Sequence, residues 1–554
     1  PPSAAGRSPL PPRFLRHAPL LRVDTPSTAA LRTIYGALTA PLLAPHAHLA
    51  PHAAPLARAM VHVYEASVAR LAGAQPHYVY SARELSRWVR ALHADLDDAG
   101  LGHDRHDTDA ALGALVRLWA YEGHRLFRDR LVADEERAWT TELFRAAAAE
   151  HFGAVPPGAL AEPMLLTPWA VGGAEAGTEP TPAALADHLR DRLRGLGVLG
   201  DAGADGEEGA ELVLHPEAIA HVLHACRALR QPMGHAMLVG GAGVGKTTLA
   251  RCAARLEGLS VVELSPGRAS SSASRFAECL RGVLRRVGLK GERLCLLLDD
   301  AGELDAAFVE ALNALLAYGE VPGLFEPDEL SALLAQCREG ARAAGLPVDS
   351  DEEARAHFTR QVQAHLHVVL TTSPAGGGGA DWCGRCAASP ALFNRCVVDW
   401  FGDWSAEAME QVAATSLRPL DLGKSAAIEA PEARATLART LVAAHRLAAK
   451  HADAATTRRG VGGGSVTPCQ LLDLVTTCAA IYAEMSSAAA ARRSHLSRGV
   501  AQIAATRAAV AELQGTLRLK DAELEAKNGE ATERLRAMVD AKQRAEGRRA
   551  EAAR

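Results

Sequence analysis

The spacing of hydrophobic residues changes along the chain and divides it into segments. Upstream of residue 150, apolar side chains such as Leu85, Trp88 and Leu92 recur every three or four positions. This period predicts amphipathic helices, the first over 31–68. Further on, short apolar runs alternate with helix-like stretches, a pattern typical of the parallel strands of an α/β fold. These runs cover 236–239, 260–263, 294–298 and 366–371.

A different pattern begins at Leu496. Steps of four and three residues from Leu496 to Met538 land mostly on apolar side chains, and the positions between them carry mixed charge. This is the heptad repeat of a coiled coil, and as one helix it would span roughly 60 Å. A single solvated amphipathic helix is the alternative. Because the sequence holds no second heptad segment, we expect the partner strand in another chain or beyond Arg554.

Length, charge and cysteine content narrow the class of protein. The 554 residues suggest about three to four structural units. With 60 basic and 65 acidic residues the net charge is −5, which excludes a nucleic-acid-binding polycation. No apolar run approaches the ~20 residues that cross a bilayer, so we expect neither a nucleic-acid nor a membrane partner. Ten scattered cysteines suit a reducing compartment.

One cysteine pair, Cys383 and Cys386, has C-x-x-C spacing. A structural zinc site needs four ligands, and no second pair has the spacing of zinc ligands. We therefore interpret the pair as two free thiols in a loop, with metal or redox chemistry as the weaker alternative.

A glycine-rich segment follows the first apolar run of the α/β region. Its residues are Gly240, Gly241, Ala242, Gly243, Val244, Gly245, Lys246, Thr247 and Thr248. They fit G-x-x-x-x-G-K-[ST] between a predicted strand and a predicted helix, where backbone N–H groups close around phosphate oxygens. We expect Lys246 to reach the β- and γ-phosphates and the Thr247 hydroxyl to ligate Mg²⁺. The motif predicts binding of ATP or ADP with Mg²⁺.

Polar residues end the two buried strands that follow. Asp299 and Asp300 come directly after 294–298. An acid at such a strand end holds Mg²⁺ through its water shell, and we assign this role to Asp299. Asp300 would polarise the attacking water, or it is an acid that favours a helix N-terminus. Ser373 ends the next strand and is a candidate γ-phosphate sensor, although a serine before proline is also an ordinary turn residue.

These pieces, in this order, resemble an AAA+ ATPase module and more specifically a dynein heavy chain, closest to the conventional cytoplasmic forms. The resemblance covers nearly the whole chain and is carried, beyond the phosphate loop, by 13–17, 77–90, 134–139, 319–329, 389–396 and 399–404. It implies a parallel sheet with flanking helices, helical small subdomains and a long C-terminal coiled-coil helix.

The resemblance also implies roles for single residues. Arg395 is similar to the arginine finger that the fourth module lends to the nucleotide of the third. Arg16 would serve the second module in the same way, and Arg83 resembles the sensor arginine of the third module. An ordinary surface ion pair, worth under ~1 kcal/mol, is the alternative for each arginine. We also expect Val213 to be one of the nucleotide-binding residues.

The chain departs from the family pattern in the fourth module's own site. Asp300 stands where the family has Glu, and Ser373 stands where it has Asn. Cys469 follows Thr467 and Pro468 where the family has a sensor arginine. Loss of that arginine removes a charge-assisted contact to phosphate. The phosphate loop and Asp299 are intact, so we expect nucleotide binding and regard hydrolysis at this site as doubtful.

The family pattern implies a division into four parts. Residues 1–150 would be the C-terminal part of a third AAA+ module, mainly its helical small subdomain. Residues 151–405 would form the large α/β subdomain of the fourth module, and 406–490 its helical small subdomain. Residues 491–554 would be the first strand of the stalk.

The function implied is that of a motor segment in which nucleotide state is coupled to a microtubule-binding stalk during minus-end-directed movement. Its partners would be the microtubule, reached through a stalk tip outside this chain, other AAA+ modules of the same heavy chain, intermediate and light chains, and a second heavy chain. The implied location is the cytoplasm and cytoskeleton, with a ciliary role left open.

Two other functions compete with this one. The first is a regulatory or structural nucleotide-binding module with little or no hydrolysis. The second is an SMC-type chromosome ATPase, which also joins a phosphate loop to a coiled coil. In such ATPases the coil separates the phosphate loop from the acidic strand, whereas here both precede the coil, so this class ranks low.

Overall fold

The computed structural model describes residues 12–17, 19, 21, 23–75, 77–96, 108–153, 155–156, 158–167, 169, 180–198, 212–264, 273–299, 306–373, 390–420, 430–459 and 466–553. The chain forms two compact units, Pro1–Val475 and Thr476–Arg554.

The N-terminal part of the first unit is helical. Its helices are α1 (Pro12–Leu15), α2 (Thr28–Leu43), α3 (Ala53–Leu71), α4 (Ala82–Leu96), α5 (Thr108–Phe127) and α6 (Asp134–Phe152). The helical stretch expected over 31–68 is thus two helices, because Pro41 removes a helix hydrogen bond and α2 ends two residues later. Trp88 and Trp119 stack with ring centroids 5.6 Å apart, and Phe144 packs against both rings in the core of this part.

A parallel sheet forms the middle of the first unit. Its strands are β1 (His235–Gly240), β2 (Ser260–Leu264), β3 (Leu294–Leu298), β4 (Leu366–Thr372) and β5 (Cys396–Phe401). They lie in the order β2-β3-β4-β1-β5, and every pair is parallel. The four apolar runs predicted β1 to β4 to within about one residue at each end. β5, at the sheet edge beside β1, was not predicted as a strand.

Helices cover both faces of this sheet. They are α7 (Pro182–Gly195), α8 (Pro216–Arg230), α9 (Lys246–Leu256), α10 (Ala273–Lys290), α11 (Ala306–Tyr318), α12 (Pro327–Ala343), α13 (Asp351–His365) and α14 (Pro390–Arg395). Successive residues of β3 point to opposite faces, as in any strand. Leu296 and Leu298 join one hydrophobic core, and Cys295 and Leu297 join the other. The α/β fold class is therefore confirmed.

The chain ends in helices α15 (Ala406–Ser416), α16 (Ala430–Arg459) and α17 (Pro468–Ala552). Helix α17 has 85 residues and continues through the boundary predicted at 490/491. From residue 483 onward its side chains are exposed, including the apolar heptad positions Leu496, Val500 and Leu517, at 68%, 67% and 59%.

By length and composition alone, α17 could also cross a membrane. This finding corrects our expectation that no apolar stretch approaches that length. One helix of this kind is weak evidence, because core helices of other proteins pass the same test.

Candidate functional site

The glycine-rich loop lies between the C-terminal end of β1 and the start of α9. Gly243 and Gly245 have φ angles of +80° and +99°, which glycine adopts without the penalty that other residues incur. A Cβ on Gly240 would lie 2.6 Å from Cβ of Phe401. The start of the loop therefore packs so closely against β5 that a side chain at residue 240 would not fit. The sequence thus folds into a turn that exposes backbone N–H groups ahead of a helix N-terminus, which is a favourable environment for an anion.

Lys246 is the first residue of α9 and is only 8% exposed. Its Nζ donates to the carbonyl oxygens of Gly240 and Gly241, at 2.9 and 2.7 Å. Ser373 Oγ accepts a further hydrogen bond from the same ammonium at 3.3 Å. A buried ammonium needs such partners because desolvation is costly. The end of β4 and the loop after β1 therefore meet at one positive charge.

Two hydroxyl groups converge on the carboxylate of Asp299. Thr247 Oγ1 donates to Asp299 Oδ1 at 2.6 Å, and Thr371 Oγ1 donates to the same oxygen at 2.7 Å. A hydroxyl and a carboxylate are the hard oxygen donors that Mg²⁺ prefers, so these residues fit that ion. Sequence reasoning missed Thr371. The signal for it was a hydroxyl one residue before the end of β4, the strand between β3 and β1.

The helical part behind the loop touches it directly. A Cβ on Gly243 would lie 2.5 Å from the backbone nitrogen of Cys469, in the first turn of α17. On the loop's other side, Trp404 Nε1 donates to the carbonyl oxygen of Val244 at 3.3 Å. Cys469, which the resemblance placed at the sensor position, is therefore within van der Waals reach of the loop that would hold phosphate.

The remaining loop and strand-end candidates have simpler surroundings. Ala242 is exposed on the loop, Thr248 is exposed in the first turn of α9, and Val213 is half-buried in the segment before α8. Asp300 lies outside the described residues, as do Cys383 and Cys386. Eight other cysteines, all in described segments, are free.

Arg16 does not line the cavity that contains Arg83 and Arg395 in the described part of the structure. It is exposed in the turn after α1, and its Nε donates to His17 Nε2 at 2.9 Å.

Arg83 and Arg395, by contrast, line the same cavity of about 230 Å³. Four more arginines line this arginine cavity: Arg87, Arg90, Arg125 and Arg227. Burial lowers the pKa of Arg395, and the positive charges of Arg83 and Arg90 lower it further. Arg227 is paired with Glu122, which also lines the cavity, and Arg125 is paired with Asp129. The other four arginines leave an excess of positive charge around this space, which favours an anionic occupant.

Arg87 connects the two predicted functional arginines. It lies one turn after Arg83 on α4, and its guanidinium donates to the carbonyl oxygens of Asn394 and Cys396, at 2.6 and 3.3 Å. These are the residues on either side of Arg395. Sequence reasoning missed Arg87, and no local signal distinguishes it from its neighbours on α4.

Comparison with known families yields two matches. The family described as "P-loop containing dynein motor region D4" matches residues 210–481. The family described as "Dynein heavy chain, ATPase lid domain" matches residues 38–137. The first match contains the whole sheet and the glycine-rich loop, and the second contains α3, α4 and α5.

Among curated proteins, the chain is similar to cytoplasmic dynein heavy chains. It is 39% identical to that of Drosophila melanogaster over 561 residues, and 38% identical to those of Caenorhabditis elegans and Dictyostelium discoideum over 562 and 565 residues. Each alignment covers 99% of this chain but 12% of the relative. The chain thus spans about an eighth of the length of these relatives.

Proposed function

Because the chain belongs to the dynein heavy chain family, we propose that its α/β region binds ATP or ADP with Mg²⁺ and couples nucleotide state to a microtubule-binding stalk. The observation that carries this proposal is the convergence at the sheet edge. Lys246 meets Ser373 from β4, and Thr247 meets Asp299 from β3. An AAA+ dynein region implies nucleotide binding, and these four side chains supply the cation and oxygen ligands for it.

Each residue has a distinct task in the proposed site. The turned backbone at Gly243 and Gly245 would present N–H groups to the phosphates, and Lys246 would exchange its loop carbonyls for β- and γ-phosphate oxygens. Thr247 and Asp299 would hold Mg²⁺, directly and through water. The bound ion supplies charge neutralisation of the phosphate oxygens.

The arginine cavity supports a second part of the proposal. We infer that Arg395 and Arg83 contact the nucleotide of a neighbouring module, as finger and sensor. A guanidinium placed in trans stabilises charge that develops during phosphoryl transfer, and in other enzymes is worth about 10³–10⁵ in rate. Arg16 would act similarly toward another module.

We also propose the four-part division at residues 150, 405 and 490, with α17 as the root of the stalk. Rotation of the small subdomain about the nucleotide would then reach the stalk through a continuous helix. The proposed partners are microtubules, the other modules of the heavy chain, a second heavy chain, and intermediate and light chains. The proposed location is the cytoplasm, on the cytoskeleton, with a ciliary role also open.

A second candidate function is nucleotide binding without appreciable hydrolysis. Cys469 favours it, because a thiol at the helix start beside Gly243 cannot supply the bidentate contact of an arginine. Asp300 and Ser373, which stand where the family has Glu and Asn, also favour binding without hydrolysis. A catalytic group misplaced by about 1 Å can lower the rate about 10²-fold.

The test is nucleotide binding by Lys246→Ala, measured by titration with a fluorescent ATP analogue. Loss of a charged hydrogen-bond donor should weaken binding by about 1.5–3 kcal/mol, or roughly 10- to 150-fold. Lys290→Ala, an exposed lysine at the end of α10, is the matched control. Unchanged binding in Lys246→Ala would remove the phosphate-loop assignment.

A double variant distinguishes the two functions. Asp300→Glu with Ser373→Asn restores the family pattern at both positions. If these departures suppress hydrolysis, the variant should hydrolyse ATP faster at this site than the natural sequence while binding it equally well. An equal rate in both proteins, at a value well above background, would instead favour a hydrolysing site.

A further inference from the structure

Three potential metal ligands converge on the surface of the N-terminal helical part, far along the chain from the phosphate loop. His62 Nδ1 lies 3.1 Å from His151 Nε2. Glu150 presents Oε2 to His62 at 3.4 Å and Oε1 to His151 at 3.7 Å. The imidazole rings are nearly perpendicular, at 84°, with centroids 5.3 Å apart. The two ring nitrogens therefore face each other edge to edge, with the carboxylate beside them.

These separations are those of ligands around one cation. Zinc binds imidazole nitrogen and carboxylate oxygen at about 2.0–2.2 Å, so two ligands at a tetrahedral angle lie roughly 3.4 Å apart. The nitrogen–nitrogen distance of 3.1 Å, and the distances of 3.4 and 3.7 Å from the two nitrogens to different oxygens of the Glu150 carboxylate, are close to that value. We propose that His62, Glu150 and His151 bind a divalent transition cation, with zinc as the favoured ion and water as the fourth ligand.

The backbone holds this set in place. His62 belongs to α3, and Glu150 and His151 belong to the last turn of α6. The His151 side chain is only 9% exposed and that of His62 is 33% exposed, whereas the Glu150 side chain is 61% exposed. Two helices thus fix the nitrogens, while the open side leaves room for water and for entry of the ion. A bound cation would fasten the end of α6 to the middle of α3.

Nearby positive charge should weaken the binding of a cation at this site. Arg32 and Arg58 repel positive charge at His151, and Glu150 is the one carboxylate within the set. We therefore expect weaker binding than at a buried structural zinc site.

The other His and carboxylate cluster of the described residues suits a cation less well. Asp399 there is already the partner of His221 and His224, at 2.8 and 3.4 Å. The guanidinium of Arg125 lies next to it, paired with Asp129, and adds a buried positive charge. That cluster is better described as a neutralised ion-pair network.

The test is a calorimetric titration of ZnCl₂ into the metal-stripped, intact protein. The natural sequence should bind one more zinc ion than His62→Gln or His151→Gln. Loss of a direct ligand should exceed the about 10- to 100-fold that loss of a supporting residue costs. His48→Gln, an exposed histidine of the same helical part, should bind as the natural sequence does.

Two further measurements keep the test independent of folding and of the cysteines. Glu150→Gln changes an exposed side chain, so we expect the fold to remain intact and the loss of affinity to come from the lost ligand. Cobalt(II) should give the visible spectrum of a nitrogen- and oxygen-ligated ion without a sulfur charge-transfer band, and the spectrum should be absent in His62→Gln. Equal zinc stoichiometry in the natural sequence and all three ligand variants would overturn the proposal.

Discussion

Thr371 allows the contribution of a single hydroxyl to the proposed magnesium site to be tested. It donates to the same Asp299 oxygen as Thr247, whereas the next hydroxyl, Thr372 Oγ1, is buried without a partner in the described structure. Thr371→Val keeps the shape and removes the donor. We expect Mg²⁺-dependent nucleotide binding to weaken by about 0.5–1.5 kcal/mol, seen as a higher Mg²⁺ requirement in a binding titration. Thr372→Val should have no such effect, and equal behaviour of the two variants would contradict this role.

Gly243 is constrained by its backbone and by its neighbour. At a φ of +80° any other residue is strained by about 1–2 kcal/mol, and a Cβ would lie 2.5 Å from the Cys469 nitrogen. Gly243→Ala should therefore push the start of α17 away from the loop, lowering both the midpoint of thermal unfolding and nucleotide affinity. Gly241→Ala is the matched control, because its Cβ would find its nearest atom at 3.8 Å. A Gly243→Ala protein as stable as Gly241→Ala would show that this contact is not maintained in solution.

At the scale of elements, periodicity and length predicted the strands that carry the site. β3 is a continuous apolar run and β4 is interrupted only by His367 before its polar end, because both faces of the sheet are covered. The polar ends of the two strands mark the site edge. β5 lacked this signal, since Asp399 interrupts its apolar residues. The polar residue of β5 can be buried because Asp399 pairs with His221 of α8. His221 is distant in the sequence, so the spacing of residues within β5 cannot indicate this pairing. The roles of Arg83 and Arg395 were implied by the family resemblance, whereas the cavity that both residues line depends on tertiary packing and was not predicted.

Two buried histidines on neighbouring strands make the sheet sensitive to acid. Burial lowers the pKa of His235 in β1 to about 3 and that of His367 in β4 to about 4. His367 Nδ1 bonds the Gly234 carbonyl at 2.9 Å, and His235 Nδ1 accepts from the Val368 N–H at 3.1 Å. Both rings are neutral when folded but take up a proton near pH 6.5 when unfolded.

Stability from these histidines should be fully present above about pH 6.5 and should be lost as the pH falls toward about 4 for His367 and about 3 for His235, because the unfolded chain binds more protons in that window. Each group adds a slope of up to about 1.4 kcal/mol per pH unit. Urea unfolding at several pH values checks this. His367→Asn should show a shallower dependence than the natural sequence, whatever its stability at pH 8. An unchanged slope would mean that His367 titrates normally in the folded protein.

At the scale of the whole molecule, the proposed function depends on one uninterrupted helix. α17 begins beside the phosphate loop at Cys469 and continues to Ala552. Its exposed heptad residues, among them Leu496, Val500 and Leu517, are the side a coiled-coil partner would cover. Exposed apolar residues at this spacing rarely remain uncovered in a stable helix. The proposed function requires that a change of position at the loop be transmitted along the axis of this helix, which needs continuous backbone hydrogen bonds.

Breaking that continuity should separate nucleotide binding from track binding. Ser487 is exposed in the interior of α17, and Ser487→Pro removes one backbone hydrogen bond and clashes with the preceding turn, at a cost of about 3 kcal/mol or more. In the complete heavy chain we expect nucleotide affinity at Lys246 to be unchanged and the stimulation of ATP turnover by microtubules to fall strongly. Ser487→Ala, which favours helix, should keep the stimulation. Full stimulation in Ser487→Pro would show that the signal reaches the track by a route other than this helix, and loss of nucleotide binding would show that the proline disrupts the site itself.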